Sequence, residues 1–201
     1  LEERGGRVAT IHLAGKGQID ASGDDVVVSA MPWFALQRAL GDRAPAAITR
    51  LQSAPIVTVY FDVASGAPPP DEGPVTALVG GSPFHFLLRT PGERADRFAL
   101  LSGGDRTLDG MSVADVTASA RDHVARYYPS ADLQKTVTRV RREQHATFIP
   151  DPATAGSRPK PGRLAEGPAN LYVCGDWTAT GFPATLEGAA RSSEQMLAAI
   201  R

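Results

Sequence analysis

One stretch near the end of the chain constrains its fold more than any other: Leu171-Tyr172-Val173-Cys174-Gly175-Asp176-Trp177-Thr178-Ala179-Thr180-Gly181-Phe182-Pro183-Ala184-Thr185-Leu186-Glu187-Gly188-Ala189-Ala190. Leu171 to Cys174 is a continuous apolar run stopped by Gly175, the pattern of a strand buried on both faces. Asp176 then sits at the strand's carboxyl end, where open α/β sheets gather their ligands. Gly181 and Pro183 shape the approach to a helix, and the small side chains of Ala184 and Thr185 leave the backbone accessible. The helix start carries unpaired N–H groups and partial positive charge, so it stabilises an anion. Leu186, Ala189, Ala190, Leu197 and Ile200, with Ser193 between them, fall on one stripe, which predicts that this face docks on a core. Glu187 in the first turn suits the helix dipole. As anatomy alone, the stretch also suits an α/β protein that binds nothing there, with Asp176 capping a turn.

The residue string says more than its anatomy. Gly175-Asp176-Trp177-Thr178-x-Thr180-Gly181-x-Pro183-Ala184-Thr185-x-Glu187-Gly188-Ala189 resembles the C-terminal FAD-binding signature of the flavin amine oxidase and carotenoid-desaturase superfamily. Within that superfamily it is most similar to the squalene-associated FAD-dependent desaturases, better described as hydroxysqualene dehydroxylases. The resemblance extends to Val26-Val27-Val28-Ser29-Ala30-Met31-Pro32, to Arg142-Glu143-x-x-Ala146-Thr147-Phe148 and to Arg158-Pro159. It implies a mixed α/β and α+β architecture: the C-terminal part of a Rossmann-like FAD-binding flavoprotein with an antiparallel-sheet substrate domain. It also implies that the acid of Gly175-Asp176 contacts the ribityl chain of FAD. After Pro183, the backbone N–H groups of Ala184, Thr185 and Leu186 would meet the flavin's pyrimidine edge. Cys174 departs from the small residue more usual there, a silent change because a free cysteine packs as a small hydrophobe.

The reaction implied by the resemblance is reductive dehydroxylation of hydroxysqualene to squalene, for hopanoid or related triterpenoid synthesis. Within the superfamily the alternatives are a phytoene-type carotenoid desaturase and an amine oxidase. Outside it, the alternative is a non-catalytic domain that binds an apolar ligand or a partner chain. An apolar isoprenoid substrate further implies a cytoplasmic protein in peripheral contact with the inner face of the membrane.

Composition narrows the classes. With 21 basic and 22 acidic residues the net charge is −1, which gives no electrostatic reason to expect nucleic acid. No apolar run is long enough to cross a bilayer, and the single cysteine excludes an internal disulfide. A dinucleotide site needs a Gly-x-Gly-x-x-Gly turn so that backbone can approach the pyrophosphate. Gly15-Lys16-Gly17 has Asp20 where the third glycine should stand, and Gly80-Gly81 lacks the spacing. In the resembled family that turn lies at the start of a longer chain. The sequence therefore reads as the C-terminal part of a larger flavoprotein, with the N-terminal half as its partner and weak FAD binding on its own.

Along the chain, residues 1–44 read as part of the FAD-binding domain. Val8 to Leu13 alternates as a strand, Gly15-Lys16-Gly17 turns it, Asp25 to Ala30 forms another strand, and Trp33 to Leu40 an amphipathic helix. Residues 45–150 read as the substrate domain, with strands at Ile56–Val63, Val75–Val79, Phe84–Arg89 and Phe98–Ser102, joined without helices and therefore antiparallel. Gly66-Ala67-Pro68-Pro69-Pro70 between the first two reads as an exposed connection. A helix opens at Ser112, with Val113, Val116, Ala120, Val124 and Tyr127 on the face that covers the sheet. The other sheet face is then free to line a pocket. Val57, Val59, Phe61, Phe84, Phe86 and Leu88 are candidates for a substrate wall and equally for core. Gln134 to Phe148 alternates with Arg139, Arg141 and Arg142, a solvated strand edge rather than a nucleic-acid surface. Residues 151–201 return through a Pro- and Gly-rich loop to the strand and helix of the FAD-binding domain.

Other chemistries lack an anchor. His12, His85, His123 and His145 have no metal-binding spacing and read as surface or hydrogen-bonded structural residues. No Gly-x-Ser-x-Gly elbow is present. Cys174, inside a buried strand without a basic neighbour, is a poor nucleophile. What remains is redox chemistry carried by a cofactor, for which the protein supplies orientation and electrostatics.

Overall fold

The computed structural model describes residues 1–62, 74–80, 82–89, 97–127, 129, 133, 136–152 and 156–200. In chain order its first elements are β1 (Glu2–Arg4), β2 (Arg7–Leu13), β3 (Gly17–Asp20), β4 (Val27–Ser29), α1 (Trp33–Leu40) and α2 (Ala46–Thr49). There follow β5 (Ser53–Asp62), β6 (Val75–Ala77), β7 (Phe86–Arg89), β8 (Arg97–Gly103), α3 (Val113–Tyr127) and β9 (Val137–Phe148). The last are β10 (Gly162–Arg163), β11 (Leu171–Val173) and α4 (Leu186–Ile200). The chain divides into two compact units, Leu1–Gln52 with Thr147–Arg201, and Ser53–Ala146. The sequence places the boundaries after residues 44 and 150; in the structure Ile48, Leu51 and Phe148 pack into the first unit's core and shift them.

The first unit carries two small sheets. β1, β2 and β3 form an antiparallel meander, turned at Gly15, whose φ of 67° favours glycine. β4 and β11 run parallel, Leu171 opposite Val27 and Val173 opposite Ser29, with β10 antiparallel on the far side of β11. Strands this short contribute few ladder bonds. A buried side chain adds to them: Asn170 accepts from the Val8 amide at 2.8 Å and donates to the carbonyls of Val8 and Asp25 at 3.1 and 3.3 Å. Three segments far apart in sequence are thereby held together. Around them pack Val8, Trp33, Leu36, Ile48, Leu164, Leu171 and Trp177.

The stripe on α4 departs from expectation. Gly188, Ser192 and Met196 are the buried positions, whereas Leu186 and Leu197 are 93% and 55% exposed. Small residues, Gly188 and Ser192, hold two of the three docked positions and Met196 the third, and α4 approaches its neighbours closely: a Cβ on Gly162 would stand 3.0 Å from that of Ala199.

The second unit is one five-stranded sheet in the order β6-β7-β8-β5-β9. β6, β7, β8 and β5 pair antiparallel in turn, with Phe61 opposite and stacked on Phe98 at 4.8 Å. α3 begins at a Ser112 cap whose Oγ accepts the Asp115 amide at 3.1 Å, and it buries Val116, Ala120, His123 and Val124. Val113 is exposed instead. Of the proposed wall residues, Val57, Val59, Phe61 and Phe84 are at most 2% exposed and belong to the core under α3. Phe86 is 40% exposed and, with Leu88, occupies the alternate positions of its strand. His123 is a buried structural histidine between Phe84 and Tyr127, hydrogen-bonded to the Phe84 backbone; its Nε2 has no partner among the described residues, and burial, then the Arg126 charge, lower its pKa. The Gly66–Pro70 loop, Val63, Gly81 and Gln134 lie outside the described residues.

Candidate functional site

The site begins at Gly175, just past β11. Its φ is +139°, and a Cβ there would lie 2.6 Å from the Trp177 indole nitrogen, so only glycine lets the chain fold back over the ring. The turn is fastened on several sides. The Gly175 amide donates to Ser192 Oγ on α4 at 2.7 Å, and Trp177, fully buried, donates its indole N–H to the Met31 carbonyl at 3.0 Å. Thr178 gives both its amide and its hydroxyl to the Gly175 carbonyl, at 3.1 and 2.7 Å. Thr178 thus does the capping that Asp176 would do in an α/β protein that binds nothing there. The Asp176 carboxylate is half-buried and receives no hydrogen bond among the described residues, so its acceptor positions face outward for a ligand's hydroxyls.

Beneath the same loop lies Arg158. Its Nε donates to the Trp177 carbonyl at 3.1 Å, one terminal nitrogen to Phe182 at 3.2 Å, and the other to Asp176 at 2.9 Å and to Thr178. The guanidinium rests 4.6 Å over the Phe148 ring. Burial lowers its pKa, and the Asp176 charge opposes that shift.

The loop ends in α4. Helix geometry starts at Leu186, the last of the three residues expected at the helix start, and Thr185 is its cap: Thr185 Oγ1 accepts the Gly188 amide at 3.1 Å. The amides of Leu186 and Glu187 find no acceptor among the described residues, which leaves a small electropositive surface at the helix start. Pro183 and Ala184 line an open cleft of about 560 Å³ with Thr147, Phe148, Pro150, Pro152, Arg158, Gly181 and Phe182. Its walls are mainly apolar.

Of the expected site residues, Pro183 and Ala184 therefore line the cleft, and Thr185 and Leu186 follow it directly. Gly175 and Asp176 stand at the other end of the loop and are absent from the cleft wall. Sequence reasoning missed Arg158, Ser192 and Trp177 as builders of the site. Arg158-Pro159 carries part of the family resemblance, but no spacing marks what the guanidinium holds.

The arrangement fits a flavin: an outward carboxylate for ribityl hydroxyls, unpaired amides for an electron-rich ring edge, and an apolar cleft beside them. Among the described residues there is no cluster of three or more His, Cys, Asp or Glu side chains suited to a metal. No described helix is long and apolar enough to cross a membrane.

Comparison with known proteins points the same way. Hydroxysqualene dehydroxylase from Rhodopseudomonas palustris is 31% identical over 196 residues, covering 97% of this chain and 43% of that protein. Hydroxysqualene dehydroxylase from Sinorhizobium fredii is 32% identical over 181 residues, covering 90% and 40%. The chain thus spans about two fifths of the length of these curated relatives. Reduced UDP-galactopyranose mutase shares the fold, with a TM-score of 0.60 at 14% identity over 84% of this chain and 38% of that one. Residues 2–197 match the family of flavin-containing amine oxidoreductases. With the clamp geometry and this match across nearly its whole length, the chain belongs to the flavin-containing amine oxidoreductase family.

Proposed function

We propose that this chain forms part of an FAD-dependent oxidoreductase that removes the hydroxyl of hydroxysqualene reductively to give squalene. The observation that carries the cofactor half of the reading is the single loop from Asp176 to Leu186, where among the described residues the carboxylate at one end receives no protein donor and the amides at the other find no acceptor. When bound, reduced FAD supplies a hydride, and the substrate's hydroxyl-bearing carbon is its acceptor as hydroxide leaves. The chain's own residues would hold and orient FAD: Asp176 would accept from ribityl hydroxyls, and the amides at the start of α4, Leu186 among them, would meet the pyrimidine edge, where negative charge gathers on reduction.

The substrate half rests on the second unit. The face of its sheet turned away from α3 carries Thr58 opposite Leu101 and Phe86, and Tyr60 opposite Ala99, Leu88 and Val75. Tyr60 and Val75 are 38% and 56% exposed, so this face suits a long isoprenoid. The amine-oxidase reading fits the cleft less well. Its two aromatic rings already carry guanidinium groups, Arg158 over Phe148 and Arg191 at 5.0 Å over Phe182, so a ring face that would hold a protonated amine is taken up on each.

A glycine-rich turn for the pyrophosphate would come from a further segment, in the same polypeptide or a partner. β4 is the outer strand of its sheet among the described residues, with Val28 44% exposed, and offers an edge to such a segment. The insolubility of the proposed substrate supports contact with a membrane surface, and a cytoplasmic location at the inner face is part of the same proposal. The test is FAD titration of this chain alone and mixed with the segment of a matched relative that carries the glycine-rich turn, followed by product analysis with hydroxysqualene, phytoene and an amine. Stoichiometric flavin in the mixture and squalene as product are expected. Absence of bound flavin in both would overturn the enzyme reading and leave a non-catalytic ligand- or partner-binding domain.

A further inference from the structure

We propose that Arg158 is the positioning residue of the clamp: its guanidinium gathers the carbonyls of Asp176, Trp177, Thr178 and Phe182 and so sets where the start of α4 points. The inference deepens the flavin reading of this loop and rests on it for its consequence, though not for its mechanics.

Four backbone carbonyls turned toward one point repel each other, because their negative ends converge. Chains avoid this unless a cation sits at the focus. A guanidinium is suited to the place: five N–H donors in a rigid planar fork, of which the loop takes four, and a flat face that stacks on an aromatic ring, here Phe148. The contrast with other arginines of the chain is informative. Arg4 and Arg191 each meet a carboxylate of a nearby residue at 2.7–3.1 Å in exposed pairs, and Arg7, Arg43, Arg106 and Arg142 give to one or two distant backbone carbonyls each. Arg158 instead binds four neutral carbonyls of a single loop, 18 to 24 residues further along the chain. Its contacts define an arc. Three carbonyls fix the beginning at residues 176–178, the fourth fixes the end at Phe182, and Pro183 to Thr185 lead straight from there into α4. Within the arc, the Ala179 amide donates to the Pro159 carbonyl at 2.8 Å and the Phe182 amide to Thr180 Oγ1 at 3.2 Å, so both amides report whether the arc is intact.

Lysine keeps the charge and loses the fork, which separates position from electrostatics. The first arm of the test needs no cofactor: amide hydrogen exchange of this chain as wild type, Arg158→Lys and Arg158→Ala. Exchange at Ala179 and Phe182 is expected to quicken about tenfold or more in both variants, with α3 amides unchanged. Millimolar guanidinium chloride is expected to restore slow exchange in Arg158→Ala where sodium chloride does not. Wild-type exchange in folded Arg158→Lys, or rescue by neither salt or by both alike, overturns the proposal; if Arg158→Ala does not fold, Arg158→Lys alone decides. The second arm compares wild type and Arg158→Lys loaded with FAD in the presence of the glycine-rich segment. A loss of FAD affinity of about tenfold and a shifted flavin absorbance band are expected. Quickened exchange with unchanged affinity and spectrum would keep the arc and remove its link to the flavin, and the flavin reading of this loop would fall. An unchanged first arm would sink the role of Arg158 itself, whatever the flavin does.

Discussion

The two units of this chain reach order by different means, and the difference locates the chemistry. In Ser53–Ala146 the order is apolar: long strands, β5 of ten residues and β9 of twelve, a stacked Phe61 and Phe98, and an amphipathic helix laid over them. In the other unit the strands beside the clamp are two or three residues long, too short to specify their own register. There the order comes from polar side chains that bind backbone directly: Asn170, Arg158, Trp177 and Ser192. Apolar packing tolerates small shifts, whereas a hydrogen bond to a particular carbonyl fixes a segment to within a few tenths of an ångström. A site that must present two amides and a carboxylate belongs with the second kind of order.

The strongest way to break this comparison is to damage each unit by its own logic. Phe61→Ala empties a fully buried position and is expected to cost about 4 kcal/mol. Asn170→Ala leaves the buried Val8 amide and two carbonyls without partners, at an expected cost of about 3 kcal/mol. Both tryptophans, Trp33 and Trp177, lie in the unit held by Asn170, so their fluorescence follows that unit during urea unfolding. Asn170→Ala should lower the fluorescence midpoint, and Phe61→Ala should lower mainly the far-UV dichroism midpoint. Equal loss of both signals in both variants would mean a single cooperative transition and would erase the distinction.

The same contrast explains what was legible beforehand. The β11–turn–α4 order was readable because an apolar run, a glycine and a proline punctuate it regardless of context. The covered face of the second sheet was not. Ile56 to Phe61 is apolar or β-branched at nearly every position, so parity alone could not tell Val57, Val59 and Phe61, under α3, from Thr58 and Tyr60 on the other side. Arg158 was illegible for a different reason: its partners are backbone carbonyls, which every residue has. The docked stripe of α4 differs from the apolar one because at Gly188 and Ser192 close approach favours small size over hydrophobicity, and only Met196 docks by apolar bulk.

Gly188 tests that last point with a smaller effect. On helix propensity alone, Gly188→Ala would stabilise by up to about 1 kcal/mol. A Cβ there, however, would stand 2.8 Å from the Pro183 carbonyl oxygen, a backbone atom that Arg158's hold on Phe182 leaves little room to move. The clash is expected to win, for a net loss of about 1 kcal/mol in the tryptophan-monitored midpoint. A gain would show that the start of α4 is loosely seated.

The smallest effect is expected at Leu186, and it sharpens the comparison because the reading by hydrophobicity demands a large one. At 93% exposure its side chain buries almost nothing, and glutamine is nearly as good a helix former as leucine. Leu186→Gln should therefore change stability by less than about 0.5 kcal/mol. What the position contributes is its amide, at the first turn of α4, and glutamine keeps that amide. FAD affinity in the presence of the glycine-rich segment should stay within about twofold of wild type. The urea midpoint and the titration read the two effects separately. If stability holds while affinity falls severalfold, the side chain itself meets the cofactor, and the clamp acts through an apolar contact as well as through the backbone groups that its polar side chains align.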